Sequence, residues 1–492
     1  MRESGVLLPV SSLPSKYGIG SFSKEAYEFV DFLKKAGQKK WQVLPLGPTS
    51  YGDSPYQSFS TFAGNPYFID LEELIRTGLL TREECGSCDF GKQEDAVDYG
   101  KLYLERNRIL RLACSRFEPE KAEGYPEFCR ENAYWLEDYS LFMALKEAHG
   151  GKSWDHWEEP LRKREPEALL AFRRKNTRKI AYYWFEQYLF RRQWDRLHHY
   201  AAEQGIGIIG DIPIYVAFDS ADTWANPELF QLDEELHPVA VAGCPPDAFS
   251  ATGQLWGNPL YDWKHHAGTG YQWWISRIAW CLKLYDVLRV DHFRGFDAYY
   301  AIPAGEPTAE HGHWEKGPGI RLFEALSQQI GSMNIIAEDL GYLTDSVREL
   351  VQKTGFPGMK VLQFAFDSRE ESDYLPHNYD KNCVVYTGTH DNDTVRGWYE
   401  VLNRDDKELA MEYMNIRHTP LEEVHWDFVR LALASVANLC VIPVQDYLGL
   451  GSGARINTPS TLGKNWKWRL KPGQLDDRLA EQIRRMTKLY GR

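Results

Sequence analysis

Leu288-Arg289-Val290-Asp291-His292-Phe293-Arg294 reads as the end of a β-strand, an apolar run over 286–291 that closes on charge and aromatic rings. Other runs of the same character lie on both sides of it: 5–10, 40–45 and 206–212 before, then 334–338, 359–366, 383–388 and 439–445 after. Most stop at a polar or Gly/Pro-rich turn. They are nearly continuous in apolar residues, as strands covered on both faces should be. Between most of them lie helical patterns at 23–36, 271–285, 321–330, 344–354 and 425–438, the first with Ser23 as cap candidate and Gly37 as stop. Strands alternating with helices about eight times predict an α/β chain of the (β/α)8 TIM-barrel class. A doubly wound open sheet is the competing arrangement. It requires a phosphate loop early in the chain, and none is found.

Two gaps are too long for simple crossovers. Residues 66–204 hold several helical stretches, notably 125–149 and 176–204, and are expected to form a mainly helical insertion between the second and third strands. Residues 215–270 are rich in Pro, Gly, Asp and Trp and are expected to form a lid between the third and fourth strands. Long connections of this kind are usually functional. Only a tail, 448–492, follows the eighth run. A β-sandwich needs about 100 residues, so no C-terminal β-sandwich domain is expected, and 1–492 reads as a single catalytic domain.

Composition excludes several function classes. The formal net charge of −13 disfavours nucleic acid or an anionic membrane as partner, since both select basic surfaces. No apolar run is long enough to span a bilayer, and Val6-Leu7-Leu8-Pro9 is too short for a signal-peptide core, so a cytoplasmic location is expected. The eight cysteines are scattered; Cys85-x-x-Cys88 lacks the second pair of a zinc ribbon and the βαβ setting of a redox motif. His265-His266 and His311-x-His313 have no acidic or cysteine partner nearby and read as surface histidines. No cofactor and no metal are expected. The unusual content is aromatic: 17 Trp and 28 Tyr, several beside Gly, Pro, Asn and Gln in loops, as in Gln254-Leu255-Trp256-Gly257-Asn258. Flat rings and fork-shaped amides suit a pyranose, which has a C–H face and a rim of hydroxyls.

Reactive groups of a (β/α)8 barrel lie at the carboxyl ends of its strands. Those ends are acidic here: Asp211 on the third run, Asp291 on the fourth, Glu338 on the fifth and Asp391 just after the seventh. Arg289 and Asp291 are two apart and point to one face, and a guanidinium beside a carboxylate favours the ionised form that a nucleophile needs. Glu338 follows apolar Asn334-Ile335-Ile336-Ala337, where desolvation raises a carboxyl pKa and keeps a proton ready for a leaving oxygen.

The strand ends resemble the short motifs of the α-amylase clan. Within that clan the chain is similar to the 4-α-glucanotransferases (amylomaltase, or disproportionating enzyme), family seventy-seven of the glycoside hydrolases. The resemblance covers almost the whole chain. It rests on Ser11-Ser12-Leu13-Pro14, Pro45-Leu46-Gly47-Pro48-Thr49, Asp53-Ser54-Pro55-Tyr56-Gln57, Gly243-Cys244-Pro245-Pro246-Asp247, the stretch Gly253-Gln254-Leu255-Trp256-Gly257-Asn258-Pro259-Leu260-Tyr261, and Arg455-Ile456-Asn457-Thr458-Pro459.

The resemblance implies a retaining double displacement that moves α-1,4-glucan segments to an acceptor glucan or glucose. Asp291 would be the nucleophile, Glu338 the acid and base, and Asp391 the holder of the reacting ring. It places His292, His390, Arg289 and Asp211 around that ring, with Tyr56 as a stacking platform near Ser54. Asp247, Gln254, Trp256 and Asn258 fall in the lid, and Asn457 beyond the eighth strand. Asp211-Ile212-Pro213, in place of the clan's Asp followed by Asn-His, is typical of the glucanotransferase branch. An α-glucan hydrolase would use the same carboxylates and is the alternative activity.

Overall fold

The computed structural model describes residues 2–50, 52–246, 250–341 and 343–492. Its strands are β1 Glu3–Leu7, β2 Lys40–Gln42, β3 Gly207–Pro213, β4 Ala240–Cys244, β5 Gln254–Pro259, β6 Val287–Asp291, β7 Ala298–Pro303, β8 His313–Lys316, β9 Ile335–Ala337, β10 Gly358–Val361, β11 Cys383–Tyr386 and β12 Leu439–Pro443. Eight of them form one sheet in the order β10-β11-β12-β1-β2-β3-β6-β9, every pair parallel. The seam is closed differently. Ala337 donates its N–H to Pro357 O at 2.9 Å, and Met359 donates to the Asp339 carboxylate at 2.7 Å. Gly358 leaves room for that carboxylate, because a Cβ there would sit 2.3 Å from Asp339 Oδ2. The sheet thus curls into the expected (β/α)8 barrel, with Val6, Trp41, Ile208, Leu288, Ile336, Val385 and Val441 in its core.

All eight apolar runs are strands, though the sixth is shorter than 359–366: it stops at Val361, and Leu362–Phe364 turns into a 3-10 helix. Helices Lys24–Lys35, Gln272–Leu284, Ile320–Ile330, Asp345–Thr354 and Val424–Ala434 occupy the patterned segments. Ser23 does not cap the first of them; its hydroxyl donates to Glu25 at 2.5 Å. Residues after β12 do more than trail: helix Asp477–Leu489 packs against Lys24–Lys35 and joins the outer ring. β1 pairs with β12 over Glu3–Leu7.

Between β2 and β3 lie, among other helices, Tyr99–Ser115, Tyr125–Ala148 and Thr177–Glu203, with Trp135, Tyr139, Phe142 and Phe185 buried and Tyr139 meeting Tyr183 edge-on at 6.4 Å. Within 215–270 the structure holds more strand than the sequence suggested. β4 and β5 combine with β7 and β8 in an antiparallel sheet of order β5-β4-β7-β8 beside the barrel mouth. Its two edges are therefore β5 and β8.

Among the described residues, no helix is long and apolar enough to cross a membrane, and no group of three or more His, Cys, Asp or Glu could hold a metal ion. Among the described residues, none of the eight cysteines is in a disulfide. His266, expected at the surface, is fully buried among Tyr261, Trp263 and Trp273, and burial pushes its imidazole down to about 4.

Candidate active site

β3 and β6 lie side by side in a register that sets Asp211 against Arg289 and Pro213 against Asp291. The alternation of a strand then turns Arg289 and Asp291 to the same face. The Arg289 guanidinium uses every edge it has. Nη1 donates to both oxygens of Asp211 at 2.8 Å, Nη2 donates to Asp291 Oδ1 at 2.9 Å, and Nε points to the Met359 sulfur at 3.3 Å. Burial opposes its charge, yet Asp211 and Asp291 hold it well above the usual range. Exposure separates the two partners: the Asp211 side chain is 0% exposed and that of Asp291 31%. Asp211 orients; Asp291 faces the cleft. Burial pushes the Asp211 carboxyl up, and Arg289 pulls it back. Its oxygens accept from Arg289 and, at 2.7 Å, from the Tyr56 hydroxyl, the bonding of a carboxylate.

Glu338 follows β9 and is stitched to the chain beyond β6. Its N–H donates to Val290 O at 3.1 Å, and its carbonyl accepts from Phe293 N–H at 3.0 Å. The side chain accepts from His292 N–H at 2.7 Å and from Leu340 N–H at 2.9 Å. Burial first, and the nearby Asp291 charge second, push this carboxyl up to about 7, against the pull of Arg289 and the two N–H groups.

His292 reaches Glu338 because its backbone is left-handed, with φ of 54°, a conformation uncommon outside glycine. Its ring meets Trp256 edge to face at 4.8 Å. Burial pushes the imidazole down to about 4, so it is neutral at neutral pH. Among the described residues its Nε2 is buried with no hydrogen-bond partner.

Asp391 stands across the mouth, in a turn after β11 where the Thr389 N–H and hydroxyl both donate to Asn392 Oδ1 at 2.9 Å. Its side chain is 44% exposed, and Asn457 Nδ2 donates to Oδ1 at 2.6 Å. Arg455 braces the pair: Nη2 donates to Asp391 O at 2.6 Å and Nε to Asn457 O at 2.7 Å. His390 lies against Asp391, with Nε2 at 3.4 Å from Oδ1, and stacks on Tyr56 at 5.0 Å. The Tyr56 hydroxyl is 3.4 Å from His390 Nδ1, so it joins the Asp211 corner to the Asp391 corner.

The residues expected in a lid divide. Trp256 touches His292 and donates Nε1–H to Gln254 Oε1 at 3.1 Å. Asn258 is buried; its Nδ2 donates to Val216 O at 2.8 Å and its Oδ1 accepts from Gln57 Nε2 at 3.2 Å. Ser54 accepts from Tyr56 N–H at 3.3 Å and shapes the platform turn. Asp247 lies outside the described residues. Sequence reasoning missed Met359, Arg455 and Trp466, which flanks Tyr56 and His390 at 5.8 and 5.9 Å. Arg455 sat within a quoted motif beside Asn457, and that adjacency was its only signal.

Comparison with known proteins finds relatives along the whole length of this chain. Residues 8–476 match the family described as 4-alpha-glucanotransferase. A 4-alpha-glucanotransferase of Clostridium butyricum is 52% identical over 98% of this chain and 99% of its own length. The Thermus thermophilus 4-alpha-glucanotransferase is 49% identical over 99% of this chain and 98% of its own. Amylomaltase from Streptococcus agalactiae, solved in complex with acarbose, superposes with a TM-score of 0.97 at 42% identity, covering 100% of both chains.

Proposed function

We infer that this chain, which belongs to the 4-alpha-glucanotransferase family, carries out its chemistry through Asp291, Glu338 and Asp391. The enzyme transfers α-1,4-glucan segments from a donor chain to an acceptor sugar. In the first step the Asp291 carboxylate attacks the anomeric carbon while Glu338 gives its proton to the departing glycosidic oxygen. That bond breaks, and a covalent glucosyl ester forms on Asp291. In the second step Glu338, now a carboxylate, takes the proton of an acceptor 4-hydroxyl, whose oxygen displaces Asp291. Two inversions retain the α configuration. Asp391, held by Asn457, binds hydroxyls of the reacting ring as charge develops on it.

One observation carries this reading: neighbouring strand ends hold two carboxyls in opposite environments, Asp291 paired with Arg289 and Glu338 pushed up to about 7 by burial. A charged nucleophile and a proton-bearing acid are what the two steps need. Arg289, Asp211, His292 and His390 surround the reacting glucose, Tyr56 stacks on a sugar face next to Ser54, and Asp247, Gln254, Trp256 and Asn258 belong to the lid over 215–270. A lid that excludes water favours an acceptor hydroxyl over hydrolysis. Maltooligosaccharides and starch are the donors, glucose serves as an acceptor, and neither nucleic acid nor membrane is a partner. Cysteines outside disulfides suit the reducing cytoplasm. Incubation with maltotriose tests the reading: transfer yields glucose and longer oligomers with constant reducing ends. A steady rise in reducing ends would replace transfer with hydrolysis.

A further inference from the structure

Both edges of the sheet β5-β4-β7-β8 bring a tryptophan to the short segment that is stitched to Glu338. From β5 comes Trp256, against His292. From β8 comes Trp314, against Arg294, whose guanidinium carbon lies 4.2 Å from the ring centroid. Arg294 follows Phe293, the residue that donates to Glu338 O, and it feels the Glu338 charge. Trp314 pairs across the sheet with Tyr300, which meets it edge-on at 5.2 Å and 64°. Two sides of the indole are thereby held, which fixes its plane. Yet Trp314 remains 42% exposed, whereas Tyr300 beside it is 6% exposed.

We propose that Trp314 is a stacking platform for a glucose unit of the glucan on the leaving and acceptor side, one or more sugars beyond Glu338. The inference rests on Glu338 as the acid and base of the proposed function. The sugar that departs, and the one that replaces it, must put an oxygen on the Glu338 proton, so both lie on the side of the cleft that Glu338 and the 292–294 segment form. A chain continuing outward from there passes Trp256 at the inner edge of the sheet and Trp314 at the outer edge. A pinned indole with an open face offers the C–H side of a pyranose a preformed surface, with little ordering cost on binding. Short substrates end before reaching it; long ones do not.

The test compares amylose with maltotriose in the full-length enzyme. Trp314→Leu keeps apolar bulk on the strand and loses the flat ring, while Trp314→Tyr keeps a ring. Trp314→Leu is expected to raise KM for amylose about tenfold, the size of one aromatic contact, with a much smaller rise for maltotriose. Trp314→Tyr is expected to recover most of that loss. A purely structural role for Trp314, covering Arg294, predicts equal changes for both substrates. Equal changes, no change, or no recovery by tyrosine each overturn the proposal. Titrating amylose into Asp291→Asn with and without Trp314→Leu reads the same contact without turnover. Turnover in Asp291→Asn would sink the nucleophile assignment, whereas unaltered amylose affinity on losing the indole would sink the platform alone.

Discussion

The corner between β3 and β6 and the corner beyond β9 offer the same functional group under different conditions. At the first, one guanidinium serves Asp211 and Asp291, and Asp291 keeps a third of its side chain open to the cleft (31%). At the second, Glu338 is anchored by the backbone N–H groups of His292 and Leu340, and burial outweighs them. What a carboxyl can do is therefore set by its neighbours: on the proposed mechanism the one beside a fixed cation attacks, and the one that has lost water carries the proton.

Four substitutions break or sharpen that contrast. The largest effect belongs to Asp291→Asn, which keeps an acceptor for Arg289 and removes the charge. Maltotriose turnover should fall on the order of 10^4-fold or more, while calorimetry still detects oligosaccharide binding. Next comes Glu338→Gln, with an expected loss of about 10^2–10^4-fold in kcat. In the wild type, kcat/KM should decline as pH rises through about 7, because Glu338 must hold its proton in the free enzyme and burial sets its pKa there. The variant should lack that decline; an unaltered alkaline limb would point to another acid. Asp291→Asn should also lower the Glu338 midpoint in a carbon-13 NMR titration, since the second cause of its upward shift is gone.

Arg289→Met probes the first corner as structure. It strands Asp211, fully buried, without its cation, and the denaturant midpoint should report a loss of about 3–5 kcal/mol. A stability close to wild type would show that Asp211 takes up a proton and tolerates isolation. The smallest effect is expected for Asn457→Ala, which deletes one charge-assisted bond to Asp391. Its cost in transition-state binding, read from kcat/KM, should be about 1.5–3 kcal/mol, with thermal unfolding little changed.

Much of this was legible in the chain, and the reasons are physical. Parallel barrel strands are covered on both sides, so each reads as an apolar run, and a strand must end where such a run meets polar residues. That is why Asp211, Asp291 and Glu338 could be located, and why desolvation of Glu338 could be anticipated from Ile335-Ile336-Ala337 ahead of it. The four-stranded antiparallel sheet lacked such a signal. Ala240–Cys244 has one β-branched residue, Gln254–Pro259 contains Gly and Pro, and His313–Lys316 is mostly charged or polar. Their pairing depends on contacts between distant segments, which no local pattern encodes. The same holds for Arg455 and Met359, whose roles exist only once β12 stands beside β11 and the closed barrel brings β10 within reach of β6. Length misled in the sixth run, where Leu362 and Phe364 continue the apolar composition of β10 after its geometry has changed.

The pairing of β1 with β12 fixes an order of events in the cell. While the ribosome is still adding residues, β1 can pair with β2, and β2 with β3, but the other flank of β1 stays unpaired until 439–443 have emerged. Circular closure thus comes late in synthesis, after almost every other element is available. Until then an edge of unsatisfied backbone groups is open to the wrong partners, and nascent chains of this enzyme should be natural clients of chaperones that shield such edges.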